Sequence, residues 1–575
     1  MNHSIKPQER WIVLQRALHL FSHDDVELHD AEINLGTDKA LCLKLGYVVV
    51  TAQSPYVSKE AALICRCFNE VYKCSSANQL RSFRNIGATE LLPLLIQLSK
   101  NDMQNGNGGE IRSRESGIEL ASVFRVLRVF AKLAPAKSFL INYSNGDLVG
   151  GLLRAVLAWI NNPNSSTLSP TETLWEIMGL VKDLTFRSRT DDKNQLLQSD
   201  GEIFFKILSH CLNQLSVLHP RFQEWCTAIT WNMVLDPPIC HKLLTKNISD
   251  KQQFGNIITE SLLAVMIQHS AHGKNSSLSL KIKRNATSAL GNILSDSRNH
   301  AILFQHHSET KLSKLIPQLA CSAQQDLDPV IRRRAMRTIR CISSSTIIEA
   351  QNMIQKENLS PFLIDIISRK RTNEDENDQD VLKQACQTVV AIKGWMKADD
   401  CAQLQGALVE LIQNTTSTAV IPSAALCLSV CLKESQLAPD ISRIPIKFWN
   451  NLERLVSTSS NTHAAIAEFL ATIVATEEKP KTVERQDQQH PSILTKTPVI
   501  NALTTILMES KSTEEKASDQ ALYVIRTLAT NEINKRPLAE NDRLLSGLVN
   551  LCLLQPESNM KDLAKRIILE LVPEI

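Results

Sequence analysis

The chain has 575 residues, a formal net charge of +3, 18 glycines, 14 cysteines and 5% aromatic residues. The small net charge excludes a protein whose binding rests on overall attraction to nucleic acid and leaves only local patches for that purpose. The scarcity of glycine and aromatics favours long helices over sheet. No run of about 18 apolar residues predicts a membrane span.

The cysteines lack the paired CxxC spacing of zinc sites. Several lie on predicted apolar helix faces, namely Cys65, Cys67, Cys321, Cys427 and Cys431. Such residues behave as small buried hydrophobes that stay reduced. The N-terminal sequence MNHSIKPQER also has no apolar core of signal-peptide length. We therefore expect a protein of the cytoplasm, the nucleus or both.

Residues 1–57 are predicted to form an N-terminal helical cap with loops. The segment from Glu9 to Ser22 has apolar residues at helical spacing, as expected of an element that covers an open repeat end. The next loop is rich in His and acidic residues: His23, Asp24, Asp25, Glu27, His29 and Asp30. It lacks a recognised metal-ligand spacing, so we interpret it as a solvated acidic loop and predict no metal site.

A nine-residue pattern recurs from residue 58 onward. Small residues at its first and fourth places let a neighbouring helix approach, and large apolar residues at the fifth and eighth fill a shared core. It fits loosely eleven times, and the fits start at Ile64, Val123, Ile177, Cys226, Ala286, Ala335, Ala385, Ser423, Ile466, Ala521 and Ala564. Their average spacing of about 50 residues is typical of helical repeats with loop insertions.

A second apolar helix precedes several copies, as in Ala88–Lys100 and Thr310–Ser322, where a proline lies in the first turn. Polar insertions fall between the helices, and the longest, residues 477–492, is a polar linker or a long loop. The predicted order is therefore repeats over 58–476, this segment, and C-terminal repeats with a cap over 493–575.

The helices LLPLLIQL and LIPQLACS, the sequence A-x-x-A-L-x-N-I over Ala286–Ile293 and ALYVIRTLA at Ala521–Ala529 resemble armadillo repeats, with HEAT repeats the close relative. The likeness extends in pattern over about residues 58 to 573. It implies an all-α fold, a right-handed α-solenoid of three-helix units. It also implies that third helices line a concave groove in which a partner lies in extended conformation.

The seventh place of the pattern carries the family's asparagine at Asn232 and Asn292. In relatives of the importin alpha type, a tryptophan four residues earlier forms pockets for lysine side chains. Ala228 and Ser288 occupy that place here, which argues against binding of classical nuclear localisation signals.

Arginines recur at places that would face the groove. The third place holds Arg66, Arg125, Arg337 and Arg566, and the sixth holds Arg128, Lys182, Arg340 and Arg526. Guanidinium groups bind carboxylates or phosphates through paired hydrogen bonds. The alternative is that these arginines are solvated faces of amphipathic helices.

The densest basic segment is IRRRAMRTIR, from Ile331 to Arg340. An acidic peptide, an RNA backbone and the acidic run of residues 374–380 are its three possible partners, and we leave them open here. The candidate partner-binding residues are Arg125, Arg128, Asn232, Asn292, Arg333, Arg337 and Arg340.

No nucleotide-binding or hydrolase motif occurs, whether GxxxxGK[ST], GxGxxG, HExxH or GxSxG. We therefore predict no enzymatic activity and no cofactor. The leading hypothesis is a scaffold or adaptor that binds an extended, acidic protein segment along the concave face of the solenoid. The alternative is a HEAT-like RNA-associated protein that uses the same basic helix faces on phosphate.

Overall fold

The computed structural model describes the ranges 134–143, 147–161, 171–213, 220–245, 247–249, 252–271, 276–304, 314–369, 376–415, 417–435, 444–477, 492–509, 515–554 and 559–572, together with Phe124, Leu127, Arg128 and 130–132. The predicted N-terminal cap, its acidic loop and the pattern starts at Ile64 and Val123 lie outside the described residues. Arg66 and Arg125 lie outside them as well.

The chain divides into two compact units, residues 1–307 and residues 308–575. In the first unit, the elements are α1 (Ala134–Asn142), α2 (Asp147–Asn161), α3 (Thr171–Thr185), α4 (Thr190–Asn213), α5 (Pro220–Val234), α6 (Pro237–Thr245), α7 (Phe254–Ala271), α8 (Ser277–Ile293) and α9 (Ser297–Phe304). Between α6 and α7, the short strands β1 (Asn247–Ser249) and β2 (Gln252–Gln253) pair antiparallel, with Asn247 opposite Gln253.

The second unit is also built of helices. Its helices are α10 (Leu315–Gln325), α11 (Pro329–Ser343), α12 (Ile348–Lys356), α13 (Ser360–Ser368), α14 (Glu376–Ala391), α15 (Ala398–Asn414), α16 (Ile421–Glu434), α17 (Ile446–Thr458), α18 (His463–Glu477), α19 (Thr497–Glu509), α20 (Glu515–Ala529), α21 (Glu532–Ala539), α22 (Asp542–Leu554) and α23 (Asn559–Leu571). Short 3₁₀ turns lie at Lys393–Trp395, Ser460–Thr462 and Ile493–Thr495.

Each unit contains a layer of third helices, which pack successively on one another. In the first unit this layer is α3, α5 and α8, and in the second it is α11, α14, α16, α18, α20 and α23. A layer of second helices lies against it, with α7 on α8, α10 on α11 and α15 on α16. All nine pattern starts within the described residues fall on third helices, so the sequence pattern located this layer correctly.

The two central copies bury their predicted core places. Ala286, Ala289, Leu290 and Ile293 on α8 are fully buried, and so are Ala335, Thr338, Ile339 and Ile342 on α11. Alanine at the first place leaves room for the neighbouring third helix, while the longer side chains fill the space toward the second helices. The same nine-residue rule therefore builds the core of both units.

Helices on the two sides of residues 477–492 pack together within the second unit. Helix α17 lies against α19, and α18 lies against α20. Residues 478–491 lie outside the described residues, so the polar linker or long loop stays a prediction.

Side chains at the start of some helices form hydrogen bonds with carbonyl groups at the end of the helix before them. Asn299 donates to the carbonyl of Ile293 at 2.9 Å, and His300 Nε2 lies 2.8 Å from the carbonyl of Leu294. His463 Nε2 lies 3.0 Å from the carbonyl of Val456. Because the last carbonyls of a helix have no partner within it, these bonds stabilise the turns. His300 is thus a buried capping residue.

The third helices of the first unit are stabilised by ion pairs of Arg128 and by a hydrogen bond from Lys193. The Arg128 guanidinium bridges Glu176 Oε2 at 2.7 Å and Asp183 Oδ2 at 3.0 Å, both on α3. Lys193, which is buried on α4, donates to the carbonyl of Asn232 at 2.9 Å near the end of α5. A cation there complements the negative end of the helix.

We expect Ile339→Ala to destabilise the second unit by about 2–5 kcal/mol, because it removes a fully buried side chain and leaves a cavity. Arg337→Ala on the same helix is the matched control, since its side chain is exposed and its loss costs less than about 0.5 kcal/mol. Denaturant unfolding followed by circular dichroism would measure both. Equal effects of the two substitutions would contradict the assignment of the core face of α11.

We expect the stability of the first unit to depend on pH through Lys193. Burial lowers the pKa of Lys193, and attraction to Asp236 partly opposes this shift. Between that lowered pKa and the ordinary lysine value of about 10.4, the unfolded chain binds more protons than the folded one, so stability rises with pH. In Lys193→Met this rise should be smaller, as measured by denaturant unfolding at pH 8 to 10.5. Lys206→Met, at an exposed position on α4, should keep the slope of the unaltered protein.

Candidate functional site

Helix α11 presents an apolar face and an arginine face. Asp328 caps its first turn by accepting from the amide of Val330 at 2.8 Å, and Pro329 occupies the first helical position, so the helix begins sharply at this point. Ile331 and Ile339 are fully buried, whereas Arg337 is exposed and Arg333 and Arg340 are half-buried. The arginine face is defined as Arg333, Arg337 and Arg340.

Asp378, an acidic residue in the first turn of α14, pairs with a fourth arginine of the basic segment. Arg332 Nη2 lies 2.7 Å from Asp378 Oδ1, and its Nη1 lies 2.8 Å from the carbonyl of Asp326. These contacts tie the turn before α11 to the start of α14. Arg332 is thus paired within the second unit and does not belong to the arginine face.

The arginine face itself has no salt bridge to any acidic side chain within the described ranges. Arg340 makes one weak contact, from Nη2 to Cys341 Sγ at 3.8 Å, and its buried Nε has no hydrogen-bond partner there. A guanidinium group that has lost water without gaining a partner favours an added anion. The face therefore has unused donors on a rigid helix.

The residues at the third and sixth places of the nine-residue pattern are exposed only in some repeats. In the last two third helices, Arg526 on α20 and Arg566 on α23 are exposed. On α16 the corresponding Ala425 and Leu428 are buried, together with Ser429 at the seventh place. The expected open surface is therefore interrupted along the layer, and it is best developed on α11, α20 and α23.

Arg128 is committed to contacts inside the first unit. Besides its bridges to Glu176 and Asp183, its guanidinium carbon lies 5.6 Å from the ring centroid of Trp225 on α5. Burial acts to lower its pKa, but attraction to Asp183 and the hydrogen bonds raise it above the ordinary arginine value. The nine-residue pattern does not predict these partners, although Glu176 and Asp183 lie two turns apart on one helix face.

The two candidate asparagines differ in their surroundings. Asn232 is buried, and its Nδ2 donates to Thr185 Oγ1 at 3.2 Å and to the carbonyl of Lys182 at 3.3 Å, which joins α5 to α3. Asn292 is half-buried, and its Nδ2 has no hydrogen-bond partner among the described residues. Asn292 thus has a free amide, whereas Asn232 serves the packing of neighbouring repeats.

The described residues contain no group of three or more His, Cys, Asp or Glu side chains placed to hold a metal ion. Each of their helices is too short or too polar to span a bilayer.

Comparison with known proteins adds structural likeness but no sequence relative. No family model and no curated protein matches the chain. A chain from the structure reported for a phosphorylation switch that controls the interaction between cadherin and beta-catenin aligns with a TM-score of 0.52 and 12% identity, over 96% of this chain and 99% of that one.

A chain from the SYS-1/POP-1 crystal complex aligns with a TM-score of 0.52 and 11% identity, over 94% of this chain and 99% of that one. A designed armadillo repeat protein in complex with the peptide (KR)4 aligns over 52% of this chain with a TM-score of 0.36. With the layers of third and second helices described above, the two long alignments show that the chain has the all-α, armadillo-type solenoid fold.

Proposed function

We propose that this protein is a non-enzymatic scaffold or adaptor that binds an extended, acidic protein segment along the concave face formed by third helices. The observation that carries the proposal is the arginine face of α11, whose Arg333, Arg337 and Arg340 lack ionic partners among the described residues. Arg128 and Asn232 are left out of the proposed site because their polar groups are already bound within the first unit.

Charge and geometry support an acidic partner. Arg337 and Arg340 lie three residues apart and Arg333 lies four residues before Arg337, so the three side chains project from one side of the helix. A row of guanidinium groups matches successive carboxylates through paired hydrogen bonds. Asp378 of the nearby acidic run is paired with Arg332, which does not belong to the arginine face.

The number of third helices indicates how long the bound partner segment would be. The second unit has six of them, from α11 to α23, within the described ranges. Neighbouring packed helices are about 10 Å apart, so five steps correspond to roughly 50 Å. An extended chain advances about 3.3 Å per residue, so a segment of roughly 15 residues would cover this layer.

The similar structures support binding to protein. One is reported for the interaction between cadherin and beta-catenin, and the other is a complex of SYS-1 with POP-1. We extend only the general activity, protein binding by an armadillo-type fold, to this chain. A location in the cytoplasm or nucleus belongs to the same proposal and is supported by the nine free cysteines of the described residues, among them the exposed Cys321.

The proposal is tested by charge reversal on the arginine face. We expect the Arg337→Glu, Arg340→Glu double variant to bind a labelled 15-residue polyglutamate peptide at least about tenfold more weakly than the unaltered protein in fluorescence anisotropy at low salt, because like charges replace attraction. The same variant should lose protein partners in affinity purification followed by mass spectrometry.

A matched control is Lys397→Glu, which changes charge at an exposed position before α15, outside the third-helix layer. It should leave peptide affinity within about twofold, because a distant surface charge is screened by salt. If the arginine variant keeps the affinity of the unaltered protein while it remains folded by circular dichroism, the proposed face is not the binding site.

The RNA alternative makes a different prediction. If phosphate were the ligand, random single-stranded RNA would displace the polyglutamate peptide. The logarithm of the RNA-binding constant would then fall with the logarithm of the salt concentration, with a slope of about −0.7 for each phosphate neutralised. We expect weak RNA binding, because the net charge is only +3 and stacking aromatic side chains are few. Displacement of the peptide by RNA at physiological salt would favour the alternative.

A further inference from the structure

Helix α22 carries a row of apolar side chains on the side away from α19. The helix packs on α19 and on α23. Leu545, Val549 and Leu553 lie four residues apart and therefore line up along one side of it. Val549 is 43% exposed and Leu553 is 74% exposed, while Leu545 is half-buried. We call these three residues the apolar row.

The preceding second helix shows what packs on such a row. A Cβ atom added at Gly547 of α22 would lie 3.1 Å from Thr504 Cγ2 and 3.7 Å from Met508 Cγ, so these two residues of α19 face α22. Helices α19 and α22 both have 13 residues. Counted from the first residue of each helix, Thr504 and Met508 correspond to Val549 and Leu553. The apolar row is thus the side on which a further helix would pack.

The composition of this side does not suit a surface that faces only water. Thr504 is fully buried beneath α22, whereas the corresponding exposed residue is the more apolar Val549. A repeat that closes a solenoid normally has a polar outer face. Exposed apolar side chains that line up on one side of a helix are typical of a site that another protein covers.

The neighbouring third helix places a positive charge beside the row. The second place of the nine-residue pattern is fully buried on each earlier third helix of the second unit, from Met336 on α11 to Leu522 on α20. On α23 this place holds Lys565, whose side chain is 54% exposed. Its Nζ lies 3.9 Å from Asp562 Oδ1, which is a long and solvated ion pair. The charge of Lys565 is therefore available to a carboxylate from outside.

This charge argues against a second copy of the chain as the occupant. Two copies would meet through the same face about a twofold axis. Only residues 555–558 separate α22 from α23, so the two helices run in opposite directions and Lys565 lies about level with Val549. An axis across the middle of the row would bring two Lys565 ammonium groups together, where like charges repel. An axis along the helices would place each apolar row on the charged α23 of the other copy.

We propose that the apolar row and Lys565 form a docking site for an amphipathic helix of a partner protein. Aliphatic side chains of that helix pack on Leu545, Val549 and Leu553, and carboxylates on its flank face Lys565. The helix takes the place on α22 that α22 itself holds on α19. The row extends over about 12 Å, so between two and three turns of the partner helix contact it. This site differs from the arginine face, which is proposed to bind an extended segment.

The apolar contact is tested with the full-length protein and a labelled helical peptide of about 18 residues that carries leucines on one side and glutamates on the adjoining flank. The Val549→Asp, Leu553→Asp double variant should bind it at least about tenfold more weakly in fluorescence anisotropy, because the contact would bury unpaired carboxylates. Ile446→Asp is the matched control, since Ile446 is 50% exposed at the start of α17. It should keep the affinity within about twofold. Circular dichroism checks that both variants are folded.

Exchange of charge tests the role of Lys565. Lys565→Glu should bind the glutamate peptide about threefold more weakly than the unaltered protein does. A second peptide, with lysines in place of the glutamates, should bind this variant about threefold more tightly than it binds the unaltered protein. A reversed preference of this kind cannot arise from a general loss of structure. If neither affinity changes, the acidic flank of the proposed partner is wrong.

Three other results would overturn the proposal. The double variant on α22 could keep the peptide affinity of the unaltered protein. Analytical ultracentrifugation could show a dimer that Leu553→Asp converts to a monomer, which would assign the row to a second copy. In Leu553→Cys, the new thiol could resist a maleimide reagent in the folded protein, as mapped by mass spectrometry, which would show that the chain itself covers the row.

The two binding proposals are separated by exchanging variants and peptides. The Arg337→Glu, Arg340→Glu variant should bind the helical peptide as the unaltered protein does at physiological salt. The Val549→Asp, Leu553→Asp variant should keep its affinity for polyglutamate. Failure of either proposal therefore leaves the other one standing.

Discussion

The close approach of neighbouring third helices is the constraint on which the rest of the structure depends. On the central helices α8 and α11, the small residues Ala286 and Ala335 allow this approach, and the larger residues beside them are buried in the core. Since each third helix packs on the next within its unit, a side chain that points away from this core belongs to a surface shared by several repeats. The binding proposal rests on that arrangement.

Arginines on third helices fall into two classes, and their neighbours decide which. Arg128 is enclosed by Glu176, Asp183 and the Trp225 ring, so its charge serves the internal packing of the first unit. Arg337 has no such neighbours within the described ranges and remains exposed to solvent. Burying a charge demands a partner nearby, so the arginines left without one are those suited to an external anion.

The second unit combines a charged outer surface with a reduced, sulfur-containing interior. Arg333, Arg337 and Arg340 lie on α11, while the buried Cys401 and Cys431 lie on α15 and α16. These features use different chemistry and different helices. The arginine face and the buried cysteines therefore belong to different parts of the second unit.

The all-α repeat fold and the helices that carry its core could be predicted from the sequence, because the spacing of small and large apolar residues is a local property of a helix. This spacing located α8 and α11, including Ala289, Leu290 and Ile339. Which polar residues remain available depends on contacts between repeats, which the folded structure shows. Asn232 donates hydrogen bonds to the Lys182 carbonyl and to Thr185, and Asp378 pairs with Arg332 rather than with Arg337. These contacts join residues about 50 positions apart in the sequence. No local pattern encodes which of several similar side chains lies within hydrogen-bonding distance of a neighbouring repeat.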